Sequence, residues 1–269
     1  MKLCWNLTNI CNEACVYCFR ELQERPLDLE TNLNILRKLK TIGTTSITFA
    51  GGEPLLYPGV DVLMQECHNL GINANLITNG SLLNKDNLDQ YLRFVTKLTF
   101  SVDSPNRFIN ESSGRGRYHY EHIKKLLPYI KEKYPNIILE VNTVVTYDNS
   151  NEMDFMFEAL GSEISFYGLK KWKISRFCPL RGYAKERKNL LSVPNSVFES
   201  IKEKYSNKCA FFEIQVRDVD AVEENIIISP SGNIKKSTNM EEHTVVSDLN
   251  SKETLEIKKL IKEDGGFYV

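Results

Sequence analysis

The chain has 269 residues, with 34 basic against 35 acidic side chains, a net charge of -1, 42% hydrophobic and 26% charged residues. That balance excludes a bulk attraction to nucleic acid or to a membrane surface, and no apolar run approaches the length that spans a bilayer. The opening MKLCWNLTNICNEAC has no apolar h-region, so no secretory signal is expected and a cytoplasmic setting follows.

Strand-like runs alternate with helix-period segments along the first two thirds. LCWNLT (3–8) reads as a strand that feeds a cysteine-rich loop. In 30–43, Leu33, Ile35, Leu36 and Leu39 share one helical stripe, and Gly43 marks the stop. Strand 46–50 ends in GGEP, helix 60–71 follows, and strand 72–78 ends at Asn79-Gly80. The alternation continues with strand 97–104, helix 120–134, strand 136–146, helix 151–161 and strand 169–177.

Six β-then-α units at this spacing require crossover helices and hence a parallel sheet. The predicted fold is α/β, a partial (β/α)6 TIM-like barrel with a C-terminal extension. The core covers residues 1–180, and 181–269 pack on it within one domain. In the extension, 192–205 reads as a helix. A hairpin over 225–237 turns at Pro230-Ser231-Gly232-Asn233, and the tail is a helix ending in Gly-Gly and aromatics. Parallel strands gather functional loops at their C-terminal ends, where every conspicuous polar motif of this sequence falls.

Seven cysteines stand at 4, 11, 15, 18, 67, 178 and 209. The odd number argues against a complete set of internal disulfides. Cys11, Cys15 and Cys18 crowd one short loop after the first strand, and thiolates are soft ligands for iron–sulfur clusters or zinc. Three ligands to a four-iron cluster leave one iron open, which four cysteines would not. A structural zinc site usually takes four ligands, so a non-catalytic zinc module would have to recruit Cys4. Cys67 reads as core, and Cys178 in FCPLRG as a candidate redox or substrate-facing thiol.

Cys-x3-Cys-x-aromatic-Cys, with Tyr17 as the aromatic, resembles the radical S-adenosylmethionine (SAM) superfamily. The resemblance implies a 4Fe–4S cluster on Cys11, Cys15 and Cys18, with SAM bound to the open iron and cleaved to a 5′-deoxyadenosyl radical. It places Tyr17 near the adenine and Gly51, Gly52 and Glu53 at the methionine amine. It also assigns Asn79, Ser101 and Asp103 to SAM, with Arg115 among the cofactor-binding residues. Asn142, inward on the fifth strand, is a SAM or substrate contact, because a buried amide needs partners.

A closer resemblance is to viperin-like enzymes, which convert a nucleoside triphosphate to its 3′-deoxy-3′,4′-didehydro form. It rests on ITFAGGEP, ITNGSL, SVDS, Ser113-Gly114-Arg115-Gly116, VNTVV, Trp172-Lys173 and Gly265-Gly266-Phe267-Tyr268. It implies a nucleotide substrate and an external electron donor. Arg115, Lys173, Arg176 and Arg181 can supply positive charge to phosphate, and Tyr268 is a candidate substrate contact in a mobile tail. The sequence departs from that family at two lysine positions, where it has Glu140 and Ser46. A neutral metabolite or a peptide is the alternative substrate. Only Cys178 and Cys209 follow the barrel, too few to ligate an auxiliary cluster.

Overall fold

β1 (Lys2–Thr8) opens the chain, and α1 (Leu29–Thr41), β2 (Ser46–Gly51), α2 (Val60–Asn69) and β3 (Asn73–Thr78) follow in alternation. Next come α3 (Leu88–Leu92), β4 (Val95–Ser101), α4 (Arg107–Ser112), α5 (His119–Lys133), β5 (Ile138–Val145), α6 (Met153–Ala159) and β6 (Leu169–Arg176). The remainder forms α7 (Gly182–Glu186), α8 (Lys188–Leu191), α9 (Asn195–Ser206), β7 (Glu213–Arg217), β8 (Asn225–Ile228), β9 (Ile234–Thr238), β10 (Glu241–Val246) and α10 (Thr254–Glu263). This computed structural model describes residues 1–20, 23–208, 210–219, 225–238 and 241–263. Cys209 and Gly265 to Tyr268 lie outside the described residues.

The ten strands form one sheet in the order β10-β9-β8-β1-β2-β3-β4-β5-β6-β7. β1 to β7 are joined in parallel through consecutive neighbours, as the alternating pattern requires. The fold is thus the expected α/β partial barrel. After residue 180 the chain extends this sheet at both edges. β7 adds a seventh parallel strand beside β6. β8 lies parallel to β1, and β8, β9 and β10 run antiparallel to one another around the expected 230–233 turn.

Side chains alternate across a strand, and the two faces of this sheet differ sharply. Leu3, Trp5 and Leu7 of β1, Ile47 and Phe49 of β2, Leu98 and Phe100 of β4, and Trp172 and Ile174 of β6 are buried under the helices. Burying each such side chain stabilises the fold by roughly 1.5–3 kcal/mol. Ile35, Leu36 and Leu39 of α1 and Leu63 and Met64 of α2 supply the matching helical stripes. The opposite residues, including Cys4, Asn6 and Thr8, Thr48, Lys97 and Thr99, and Lys173 and Ser175, line a cavity of about 790 Å³. The concave face is therefore an open chamber of mixed polar and apolar lining, not the filled interior of a closed barrel.

The helix starting near residue 30 is capped by Asp28, whose side chain accepts from the Thr31 amide. Gly43 follows its end with φ of 94°, the left-handed conformation that glycine adopts freely. No helix among the described residues is long and apolar enough to cross a membrane.

Candidate active site

The loop after β1 is braced from two sides. On one side the GGEP turn packs against its backbone. The Gly52 amide donates to the Thr8 carbonyl at 2.6 Å, and the Glu53 amide donates to the Ile10 carbonyl at 2.8 Å. A Cβ on Gly51 would sit 2.3 Å from the Thr8 carbonyl oxygen, and one on Gly52 would sit 2.1 Å from that of Ile10. These glycines let the turn approach the cysteine loop itself. On the other side, the Ala14 and Val16 amides donate to the carbonyls of Gly114 and Ser113 at 3.2 and 2.9 Å.

Glu53 is almost fully buried and joins the ends of β2 and β3. Its carboxylate accepts from Thr78 Oγ1 at 2.7 Å, from the Asn79 amide at 2.9 Å and from the Leu55 amide at 3.1 Å. Burial raises its pKa, against the pull of those three donors. Asn79 in turn donates to Asn12 Oδ1 at 3.1 Å, and its Nδ2 lies 3.9 Å from Cys11 Sγ.

Beneath the loop lies a buried ionic network. Arg115 Nε donates to Asp103 at 2.6 Å, Nη1 to Glu13 at 2.9 Å and Nη2 to the Tyr17 hydroxyl at 2.6 Å. Tyr17 donates a short hydrogen bond to Asp103, and the other Asp103 oxygen accepts from the Val144 amide at 2.9 Å. Burial opposes the guanidinium's charge, but the acidic groups around it, Asp103 foremost, hold its pKa above the ordinary value. Arg115 and Asp103 thus have protein partners and join the cysteine loop to β4 and β5. Glu13, which the sequence did not single out, is part of this network through Arg115 and Cys15. It sits inside the cysteine motif, where the ligands draw attention away from the residues between them.

Cys11, Cys15 and Cys18 are free thiols, partly exposed on this loop. Cys11 accepts from the Glu13 amide at 3.4 Å, and Cys15 lies 3.8 Å from the Glu13 carboxylate. Burial pushes the Cys15 thiol up to about 12 and also raises Cys11. Thiols so placed become thiolates readily only when a metal takes the proton's place. Cys4 projects into the chamber instead, its sulfur 3.9 Å from Asn6 Oδ1. Among the described residues no three Cys, His, Asp or Glu side chains gather tightly enough to hold a single metal ion. A compact zinc site demands such convergence, whereas a four-iron cluster spreads its thiolates over the corners of a cube.

Asn142 contributes an independent sign of a ligand. It stands opposite Ser101 on β4 and Lys173 on β6, and its Oδ1 is buried without a hydrogen-bond partner. The donor set, the doubly braced loop and this orphaned acceptor fit a 4Fe–4S cluster with SAM beside it. Cys11, Cys15 and Cys18 are the residues that could hold the cluster.

The other assigned cations lie in the chamber wall. Lys173 meets Glu140 at 2.5 Å, and Lys97 reaches the same carboxylate at 3.6 Å. Arg176 pairs with Asp218 at 3.4 Å, and Arg181 donates to the Phe19 carbonyl at 2.9 Å. Cys178 also lines the chamber, with its thiol pKa raised by burial. Lys173 is therefore paired, and by the very Glu140 that departs from the viperin-like pattern. Lys97 and Arg217, which the sequence reading did not single out, face the same chamber. Tyr268 lies outside the described residues.

The sequence profile of the Radical SAM superfamily matches residues 5–160, more than half of the chain, and the protein belongs to that superfamily. It is a radical SAM enzyme whose cofactors are a 4Fe–4S cluster and SAM. Among its relatives is an S-adenosylmethionine-dependent nucleotide dehydratase of Flammeovirga pacifica. The two are 29% identical over 254 residues, which cover 87% of this chain and 82% of the relative. A protein of the same description from Selenomonas ruminantium is 30% identical over 185 residues, 65% of each chain. Among solved structures, native anSMEcpe with bound AdoMet superposes with a TM-score of 0.69 at 14% identity, covering all of this chain and 84% of that one. Streptococcus suis SuiB bound to S-adenosylmethionine gives 0.68 at 16% identity, covering 89% of this chain and 63% of that one. At such identities these structures support the fold alone.

Proposed function

We propose that the enzyme is a nucleotide dehydratase of the viperin-like kind: a ribose hydrogen is taken, and the 3′-hydroxyl leaves as water with one proton and one electron from the external donor, which gives a 3′-deoxy-3′,4′-didehydro nucleotide. One observation carries the substrate class. Among the described residues, the chamber beside the cysteine loop is lined by Lys2, Arg20, Lys97, Lys173, Arg176, Arg181, Arg217 and Lys235, against Glu24 as the one acidic lining residue. In a chain of net charge -1, that concentration of cations suits a phosphorylated ligand far better than a neutral one. The nucleotide dehydratases among the relatives agree with this reading.

The bound cluster and SAM supply the carbon radical that takes the hydrogen. Residues of this chain do the rest. Cys11, Cys15 and Cys18 present three sulfurs on a loop fixed by Gly52, Glu53 and the Arg115 network. Tyr17 lines the chamber with its hydroxyl held by Asp103 and Arg115, which orients its ring toward an adenine. Glu53, Asn79, Ser101 and Asn142 border the SAM site, and Asn142 Oδ1 accepts from it. Lys173, Arg176 and Arg181 attract the phosphates, and the cluster, when bound, would take its electron from an external donor. Residues 1–180 form the radical SAM core with 181–269 as its extension. The free thiols of Cys4, Cys11, Cys15, Cys18, Cys67 and Cys178 suit a reducing cytoplasm.

Anaerobically reconstituted protein, given SAM, dithionite and single nucleotides, is expected to release 5′-deoxyadenosine faster with one nucleotide than without. If no nucleotide stimulates it, the substrate class is wrong.

A further inference from the structure

Four charged residues from four neighbouring strands, Lys97 of β4, Glu140 of β5, Lys173 of β6 and Arg217 of β7, stand together along one wall of the chamber. Glu140 is 5% exposed and divides its two oxygens, Oε2 to Lys173 Nζ at 2.5 Å and Oε1 to Lys97 Nζ at 3.6 Å. Thr99 Oγ1 adds a longer contact to Oε2 at 3.4 Å. Arg217 of β7 stands opposite Ser175 of β6, two residues beyond Lys173 on the same strand, and its Nη2 donates to Gln215 at 3.1 Å. Lys97, Lys173 and Arg217 all line the cavity.

Two positive charges, Lys97 and Lys173, thus share one carboxylate, and Arg217 adds a third beside them on the same face. The carboxylate holds the ammonium groups together, but it also subtracts from the field they project into the chamber. In a partly desolvated cavity that subtraction is larger than it would be in water. The excess positive charge faces the open space and matches a phosphate group. Glu140 sets how much excess there is.

We propose that Glu140 is a specificity-determining residue: by neutralising part of the Lys97–Lys173–Arg217 cluster, it limits the number of negative charges that the chamber accepts. This deepens the nucleotide reading and rests on it for the identity of the ligand. It does not rest on it for the charge preference, which belongs to the cluster alone.

The test uses the full chain, reconstituted with its cluster and SAM, with inorganic orthophosphate and tripolyphosphate as titrants in calorimetry. Glu140→Gln keeps an acceptor for Lys173 and removes the charge. It is expected to tighten tripolyphosphate about tenfold and orthophosphate much less, because the repulsion removed scales with ligand charge. Lys97→Gln leaves the Glu140–Lys173 pair in place and is expected to move the same ratio the opposite way. That variant decides the matter if Glu140→Gln does not fold. An unchanged ratio, or weaker tripolyphosphate binding by Glu140→Gln, overturns the proposal. A shifted ratio in a protein that no nucleotide activates would leave the role of Glu140 standing and remove the nucleotide dehydratase reading.

Discussion

Gly52 lies directly beneath Ile10, so close that a Cβ on the glycine would meet the Ile10 carbonyl oxygen at 2.1 Å. The contact is backbone on backbone, with no flexible side-chain end to yield. Gly52→Ala must therefore push the cysteine loop away from β2. It is expected to cost about 1–3 kcal/mol in urea unfolding, the range for overpacking. Iron and sulfide bound after reconstitution should fall severalfold in protein that keeps its far-UV circular dichroism. Full iron loading would show that the loop tolerates the displacement.

Arg115 holds Asp103, Glu13 and Tyr17 together in a site nearly closed to water. Removing one partner of a buried charge network leaves the others uncompensated, at a cost of about 3–5 kcal/mol. Arg115→Met should destabilise the protein by that order, and Arg115→Lys by less, since an ammonium cannot match the planar fork. Adding Asp103→Asn to Arg115→Met should recover part of the loss. Denaturant midpoints for the three proteins measure this, and additive losses would contradict the network.

Asn142 is read as a ligand contact because its Oδ1 lacks a protein partner. Asn142→Leu should leave stability unchanged or raise it, since it removes an unsatisfied buried acceptor. SAM affinity of the cluster-loaded protein should drop about tenfold, the order expected for one lost hydrogen bond in a dry site. A loss of stability with normal SAM binding would assign the residue to the scaffold.

His119 is buried behind the cysteine loop, with Nε2 donating to the Asn79 carbonyl at 2.7 Å. Burial, aided by the positive charge of Arg115, lowers its pKa from 6.5 to about 3. The unfolded chain then binds a proton below pH 6.5 that the native state refuses, so this residue's contribution to stability falls as pH drops toward 3. Between pH 7 and 5 the wild type should lose roughly 2 kcal/mol relative to His119→Asn. Equal pH slopes for the two proteins would show that the imidazole protonates freely.

Much of the site could be read before any coordinates because its chemistry is local. Cys11, Cys15 and Cys18 fall within eight residues, and GGEP and Asn79 each end a strand whose alternation is plain. Glu13, His119 and Lys97 were not legible, because their roles come from residues distant in sequence. Glu13 and Arg115 meet across 102 positions. β7 escaped notice because EIQVR is short and only half-buried at the sheet edge, so that Ile214 and Val216 give too brief an alternation to mark a strand. Arg217 went unread with it. The two glycines of GGEP, placed at the methionine amine by the resemblance, also admit the backbone of Thr8 to Ile10, a contact that no local pattern encodes.

The sheet begins at β10 and ends at β7, with no pairing between those strands among the described residues. A ring of hydrogen bonds resists any change of girth, because widening it breaks a ladder. An unclosed sheet carries no such hoop stress and can flatten or curl by small changes of twist along its length. The join between β8 and β1 is brief, with Cys4 opposite Ile227 and Trp5 opposite Ile228. Beyond that seam, β8 to β10 are held by Ile228, Ile234, Val246 and Leu249, all buried in the core, and by Lys38, whose ammonium donates to the Leu249 and Lys252 carbonyls at 3.3 and 2.9 Å. The girth of the vessel is thus set by side-chain packing, whereas the sulfur-bearing rim is fixed by backbone bonds to the GGEP turn and the 113–114 turn.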